Sequence, residues 1–216
     1  MDSIQDMRRY VVKLALDGSE GLGVAVPGHI LSCAHFFKTF GVDRWIWLEV
    51  AGEIPGEEKA TYHVQTLDSL LDFMVIGENP IGQEIDGSCW VVDIEPPIKP
   101  VRLVFPDGQI AVKVPVYFFT PDGKTPINAQ AIIYRYSPTI YLDQPVLKGC
   151  SGGPVFTADH RLIGIIQGGF QFHGAQPDQG HAVRIDHAAS GWLCEVIGGL
   201  DEWPVQGEFV KVEEID

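Results

Sequence analysis

The chain of 216 residues carries 15 Lys+Arg against 29 Asp+Glu, a formal charge of −14. Phosphate recognition needs clustered basic side chains, and no apolar run nears the roughly 20 residues that span a bilayer. Neither nucleic acid nor membrane is therefore an expected partner, while 45% hydrophobic residues suffice for packed cores.

The first residues, Met1 to Met7, lack a basic segment followed by an apolar one, so no secretory signal is expected. Cys33, Cys89, Cys150 and Cys194 are widely scattered and read as reduced thiols, which together with the missing signal gives a cytoplasmic expectation. The 24 Gly and 15 Pro exceed the usual share of about 12%, without a collagen-like period. Many turns between short strands follow.

The alternation of apolar residues predicts strands over Tyr10–Ala15, Leu22–Val26, Ile30–Ala34, Trp45–Val50, Thr61–Thr66 and Phe73–Ile76. A second set covers Val101–Phe105, Ile110–Phe118, Ala129–Tyr136, Thr139–Leu142, Pro154–Phe156, Leu162–Gln167 and Ala182–Ile185. Turn signals divide them, among them Pro27-Gly28, Pro106-Asp107-Gly108 and Pro121-Asp122-Gly123. One helix is predicted over Asp186–Val196, with Asp186 as its N-cap and Gly198-Gly199 as its stop. The run Glu95-Pro96-Pro97-Ile98-Lys99-Pro100 is the Pro-rich connector, and the segment after Asp201 reads as a solvated acidic end. Trp45, Trp47, Trp90, Trp192 and Trp203 read as core residues.

Three local patterns carry chemistry. Two apolar strands joined by Pro27-Gly28 deliver His35 at the end of Ser32-Cys33-Ala34-His35. Asp72 heads the apolar run Phe73-Met74-Val75-Ile76, where a carboxylate needs hydrogen-bond partners; Asp68 is the weaker candidate. The run Gly149-Cys150-Ser151-Gly152-Gly153-Pro154 lets the backbone turn tightly and brings N–H groups around one side chain. The seven histidines show no zinc spacing, and Gly21-x-Gly23 lacks the helix a dinucleotide loop requires, so neither metal nor cofactor is expected.

In the order His, Asp, Ser, these patterns resemble the chymotrypsin-like (trypsin-like) serine peptidase superfamily, closest to compact bacterial HtrA-type protease domains without a PDZ module. The resemblance covers about residues 10–198. It implies an all-β fold of two antiparallel six-stranded β-barrels with a short C-terminal helix. Residues 1–95 would form the first barrel with His35 and Asp72, 96–199 the second with Ser151 and the helix, and 200–216 the acidic tail.

The resemblance further implies a Ser151 nucleophile, a His35 base, an Asp72 orienter and an oxyanion hole from the amides of Gly149 and Ser151. Pro145 and Val146 would line the base of the substrate pocket, with Gly168, Gly169 and Gly180 on its walls. Without a carboxylate at that base, Asp143 lying two residues before Pro145, an apolar or small residue is expected before the scissile bond. The implied partner is a polypeptide substrate. A regulatory partner or larger assembly that gates an intracellular protease is a further expectation, and a catalytically silent binding module on the same fold is the alternative. Cys150 stands one place before the nucleophile position and reads as a packing residue.

Overall fold

The structure is a computed structural model that describes residues 3–16, 19–37, 49–53, 60–68, 71–77, 94, 97–98, 100–169, 179–188 and 199–210. Short apolar stretches between turns give a β protein, as the alternation predicts. The first unit contains β1 (Val11–Leu16), β2 (Ser19–Val26), β3 (His29–Ser32), β4 (Glu49–Glu53), β5 (Ala60–Asp68) and β6 (Phe73–Gly77). They close into a barrel in the order β1-β2-β3-β6-β5-β4.

Every residue of β6 is buried. Phe73 and Val75 join a core cluster shared with the second unit, while Met74 and Ile76 are buried on the opposite face. A strand covered on both sides has no need of polar alternation, which explains its unbroken apolar run. In β2, a Cβ on Gly23 would lie 2.7 Å from Ile30 Cγ2 and 3.0 Å from Leu14 Cδ1, so glycine there permits close strand packing.

The second unit contains β7 (Val101–Val104), β8 (Ala111–Phe119), β9 (Pro126–Tyr134), β10 (Thr139–Leu142), β11 (Pro154–Thr157), β12 (Leu162–Gly169), β13 (Gly180–Arg184), the helix α1 (Ile185–Ala188), β14 (Asp201–Pro204) and β15 (Glu208–Phe209). Its main sheet has seven strands in the order β11-β12-β13-β10-β9-β8-β15. β11 also pairs with β8, Phe156 opposite Tyr117, which curls the sheet back on itself. A closed six-stranded second barrel is the expectation; the structure has instead this seven-stranded sheet, with β15 laid along β8 at Lys113 and Val112, and a separate two-stranded sheet of β14 and β7.

Val112, Val114, Phe118, Ile133, Ile140, Ile163 and Cys150 fill the interior of this sheet. Between the two units lies the other core cluster. It combines Leu22, Leu31, Phe73 and Val75 of the first with Tyr117, Phe119, Phe156, Ile165 and Val183 of the second. Each such large side chain removed from water contributes about 1.5–3 kcal/mol before entropy costs.

Arg184, 3% exposed, ties β13 to its neighbours. Its guanidinium donates to Asp186 at 2.9 and 2.7 Å and to the carbonyls of Tyr134, Arg135 and Ser137. Asp186 also accepts from the Leu103 N–H at 3.0 Å.

Two sequence expectations need correction. Residues 201–210 are not a free acidic end: β14 pairs in parallel with β7, and Trp203 is buried with its indole N–H donating to Asp159 at 3.1 Å. Acidic Asp201 and Glu202 stay exposed, while the buried Trp203 anchors the segment; Glu213, Glu214 and Asp216 lie outside the described residues. Asp186 lies in the first turn of α1 and holds Arg184, so it does not cap the helix from outside. Positions 189–196 of the expected helix lie outside the described residues, as do the other tryptophans, Cys89 and Cys194.

Candidate active site

His35 stands in a 3-10 turn, Ala34–Phe37, directly after β3. The preceding strand is held from beneath by the buried Ser32 hydroxyl, which donates to the Leu22 carbonyl at 2.7 Å. Asp72 lies in the turn leading into β6 with φ of 53°, a left-handed conformation that Asp tolerates better than most residues. Its Oδ2 accepts a hydrogen bond from His35 Nδ1 at 2.8 Å, bringing together side chains 37 positions apart. Both are about a quarter exposed, at 24% and 25%.

With the proton on Nδ1, Nε2 presents a lone pair. Cys33 Sγ lies 3.6 Å from that nitrogen. Burial, reinforced by the Asp72 charge, holds the Cys33 thiol well above the ordinary cysteine range, so it stays protonated.

Ser151 sits in the turn before β11, between Gly149 (φ 95°) and Gly152 (φ 83°). A Cβ on Gly152 would collide with the Leu22 carbonyl and the Ser32 hydroxyl, so only glycine fits. The turn is fastened on both sides. Leu22 N–H donates to the Ser151 carbonyl at 2.8 Å, Gly152 N–H to Ile166 O at 2.7 Å, and Ile166 N–H to Gly153 O at 2.8 Å. Among the described residues, the amides of Gly149 and Ser151 have no hydrogen-bond acceptor. Such unspent donors in a tight turn suit a developing negative charge. The Ser151 hydroxyl donates to the Gln167 carbonyl at 3.3 Å.

Of the residues expected to line a pocket, Gly168 lies near Ser151, and Gly169, Gly180 and Val146 lie together. A Cβ on Gly168 would lie at ordinary contact distance, 3.9 Å, from the Ser151 hydroxyl oxygen, and Gly169 pairs with Gly180 in the β12–β13 ladder. Gly180 is buried against the Val146 side chain and donates to Gln144 O at 3.0 Å. Pro145 is exposed at the edge. Asp143 is exposed and accepts from the Gln130 N–H at 2.7 Å, a bond at the edge of β9. Cys150 is fully buried in the second core cluster, and burial pushes its thiol up to about 11.

Two contributors were not singled out in the sequence. Leu22 links Ser32 to Ser151 through its own main chain; nothing distinguishes it from other strand leucines. Gln167 donates from its side chain to Leu71 O at 2.6 Å, beside Asp72. A lone amide closing the apolar run Leu162 to Ile166 was the available signal.

No protein-family model matches the chain, and no curated protein sequence matches it. Solved structures do. The serine endoprotease from Yersinia pestis is similar with a TM-score of 0.58 at 16% identity, over 92% of this chain and 68% of that one. The Rv3671c protease from M. tuberculosis matches in its active form with a TM-score of 0.56 at 19% identity, over 95% of this chain and 87% of that one. Its inactive form also matches, with a TM-score of 0.56 at 18% identity, over 89% and 91% of the two chains. The barrel, the curled second sheet and these likenesses together give the chain a chymotrypsin-like fold, the fold of these serine proteases.

Proposed function

We propose that the chain is a serine endopeptidase acting through Ser151, His35 and Asp72. The observation that carries this reading is the 2.8 Å bond from His35 Nδ1 to Asp72, which supports the tautomer whose Nε2 bears the lone pair that takes a proton. In the proposed reaction Ser151 Oγ attacks the scissile carbonyl while its proton passes to His35 Nε2. The imidazolium, stabilised by Asp72, then protonates the leaving amine as the peptide C–N bond breaks. Water, deprotonated by His35, hydrolyses the acyl-enzyme and restores Ser151. The amides of Gly149 and Ser151 would receive the oxyanion, each such donor being worth roughly 10²–10³ in rate.

A polypeptide is the proposed substrate. Val146 packed on Gly180, with Asp143 engaged at the edge of β9, supports an apolar or small side chain before the scissile bond. A buried cation there would lack a partner. Peptide-library cleavage dominated by Arg or Lys would overturn this preference.

One observation favours a catalytically silent binding module instead. The Ser151 hydroxyl is turned to Gln167 O, and His35 Nε2 faces Cys33 Sγ. Catalytic hydrogen bonds often tighten only when substrate binds, so the peptidase reading accommodates this geometry. A fluorophosphonate probe, which reacts with an activated serine, separates the two. Labelling of the native protein that disappears in Ser151→Ala is the expected result; absence of both labelling and peptide cleavage would make it a binding module.

A further inference from the structure

β12 does not run straight past the candidate site. Its pairing with β13 shifts register between Ile166 and Gly168, leaving Gln167 as the extra residue of a bulge. Bulges re-aim a side chain, and this one reaches in two directions. The main-chain carbonyl of Gln167 accepts from Ser151 Oγ at 3.3 Å, while its side-chain Nε2 donates to the Leu71 carbonyl at 2.6 Å. Leu71 immediately precedes Asp72, whose φ of 53° places a non-glycine residue in left-handed backbone. Such a conformation persists only where the surroundings hold it.

We propose that Gln167 is a positioning residue whose amide clamps the Leu71 carbonyl and so fixes the turn that aims Asp72 at His35. The proposal rests on the reading of His35, Asp72 and Ser151 as a triad. Gln167 reaches Leu71 across 96 positions of sequence and so ties the turn carrying the acid on the first unit to the nucleophile on the second. An amide suits the task because it donates without bringing charge. An ionised glutamate would face the Leu71 carbonyl with no hydrogen to give and would add negative charge beside Asp72. Methionine would occupy the same length without a donor. Among the described residues, the groups that face the His35 ring electrically include Asp72, the protonated Cys33 thiol and His181, whose charge interacts with both His35 and Asp72. A Gln167 variant leaves each of these groups chemically in place, so a change at His35 reports the position of Asp72.

Gln167→Met and Gln167→Glu, set beside the unaltered protein, test the clamp by peptide hydrolysis, thermal unfolding and the downfield proton resonance of His35 Nδ1–H. Misplacement of a catalytic group by about 1 Å can cost on the order of 10²-fold in rate. Both variants should therefore lose roughly 10–100-fold in kcat with KM changed less than about twofold, the pattern of an interaction felt in the transition state. The Nδ1–H resonance should shift or broaden in variants that still unfold cooperatively. A purely structural role would lower the unfolding temperature and leave the resonance of the folded molecules in place. A folded Gln167→Met variant with unaltered kcat and an unmoved resonance overturns the proposal. If that variant fails to fold, Gln167→Leu, equally uncharged and without a donor, decides by the same criteria. If the unaltered protein hydrolyses no peptide, the triad reading fails separately, and the resonance alone decides whether Gln167 holds Asp72 against His35.

Discussion

The main-chain N–H of Leu22 donates to the carbonyl of Ser151 at 2.8 Å, so a strand of the first barrel holds the glycine-rich turn of the second unit. The same Leu22 accepts from Ser32 Oγ, three residues before His35. Gly152 closes this junction: its φ is 83°, and any Cβ would strike Leu22 O and Ser32 Oγ. Gly152→Ala should therefore separate the two halves of the site. Left-handed backbone alone costs an alanine about 1–2 kcal/mol, and the collision adds to it. Loss of fluorophosphonate labelling with a lower urea midpoint is expected; an unaltered midpoint and labelling rate would show that the junction does not depend on this contact.

Much of this was legible in the sequence because one-dimensional signals coincide with physical necessity. The unbroken apolar run of β6 needs two covered faces, and Gly149 and Gly152 adopt backbone angles that other residues resist. The pairing of His35 with Asp72 comes from the family resemblance and not from composition or spacing, since a 2.8 Å contact across 37 positions depends on strand order. The lone amide of Gln167 marks the end of an apolar run, but a bulge leaves no periodic trace of where its side chain goes, here to the Leu71 carbonyl. At the other end of the second unit, one buried indole overrides an acidic composition. Trp203 packs into the core while Asp201 and Glu202 remain outside.

The backbone at Asp72 decides which substitutions report on chemistry. Asn tolerates left-handed angles nearly as well as Asp, whereas alanine does not. Asp72→Asn should thus keep the fold while favouring the wrong His35 tautomer, lowering turnover by up to roughly 10⁴. Asp72→Ala should lose stability as well as activity. Peptide hydrolysis and thermal unfolding of the two variants check this, and full turnover in a folded Asp72→Asn would remove Asp72 from the mechanism.

The thiols give a test that separates serine from cysteine chemistry. Burial pushes Cys150 up to about 11, and burial with the Asp72 charge holds Cys33 well above its usual range. Thiolate is the reactive form, so at pH 8 only about one Cys150 in a thousand is ionised. Iodoacetamide at that pH should leave fluorophosphonate labelling of the native protein unchanged. After denaturation without reductant, all four cysteines should react. Fewer than three free thiols would contradict the reduced state, and cleavage that survives Ser151→Ala but not Cys150→Ala would make Cys150 the nucleophile.

His181 connects the site to the pH dependence of stability. It pairs with Gly168 across the ladder, and burial lowers its pKa, opposed by the Asp72 charge and reinforced by that of His35. His187 is lowered too, by burial first and then by Arg184. A histidine depressed in the folded state binds its proton more tightly when unfolded. Its contribution to stability is therefore complete above the unfolded value, near 6.5, and is lost as pH falls toward the folded pKa. Asp6 and Asp122 are lowered by hydrogen bonds from Ser3 and Thr120. Their contributions decline only from the ordinary carboxylate range near 4 downward, so the two windows separate. Urea unfolding should be nearly level from about pH 7 to 8 and weaken below about 6.5. In His181→Gln that decline should become shallower, because one proton-binding group has been removed from the unfolded chain. Matching slopes for the variant and the unaltered protein between pH 5.5 and 7 would mean that His181 does not lose its proton on folding.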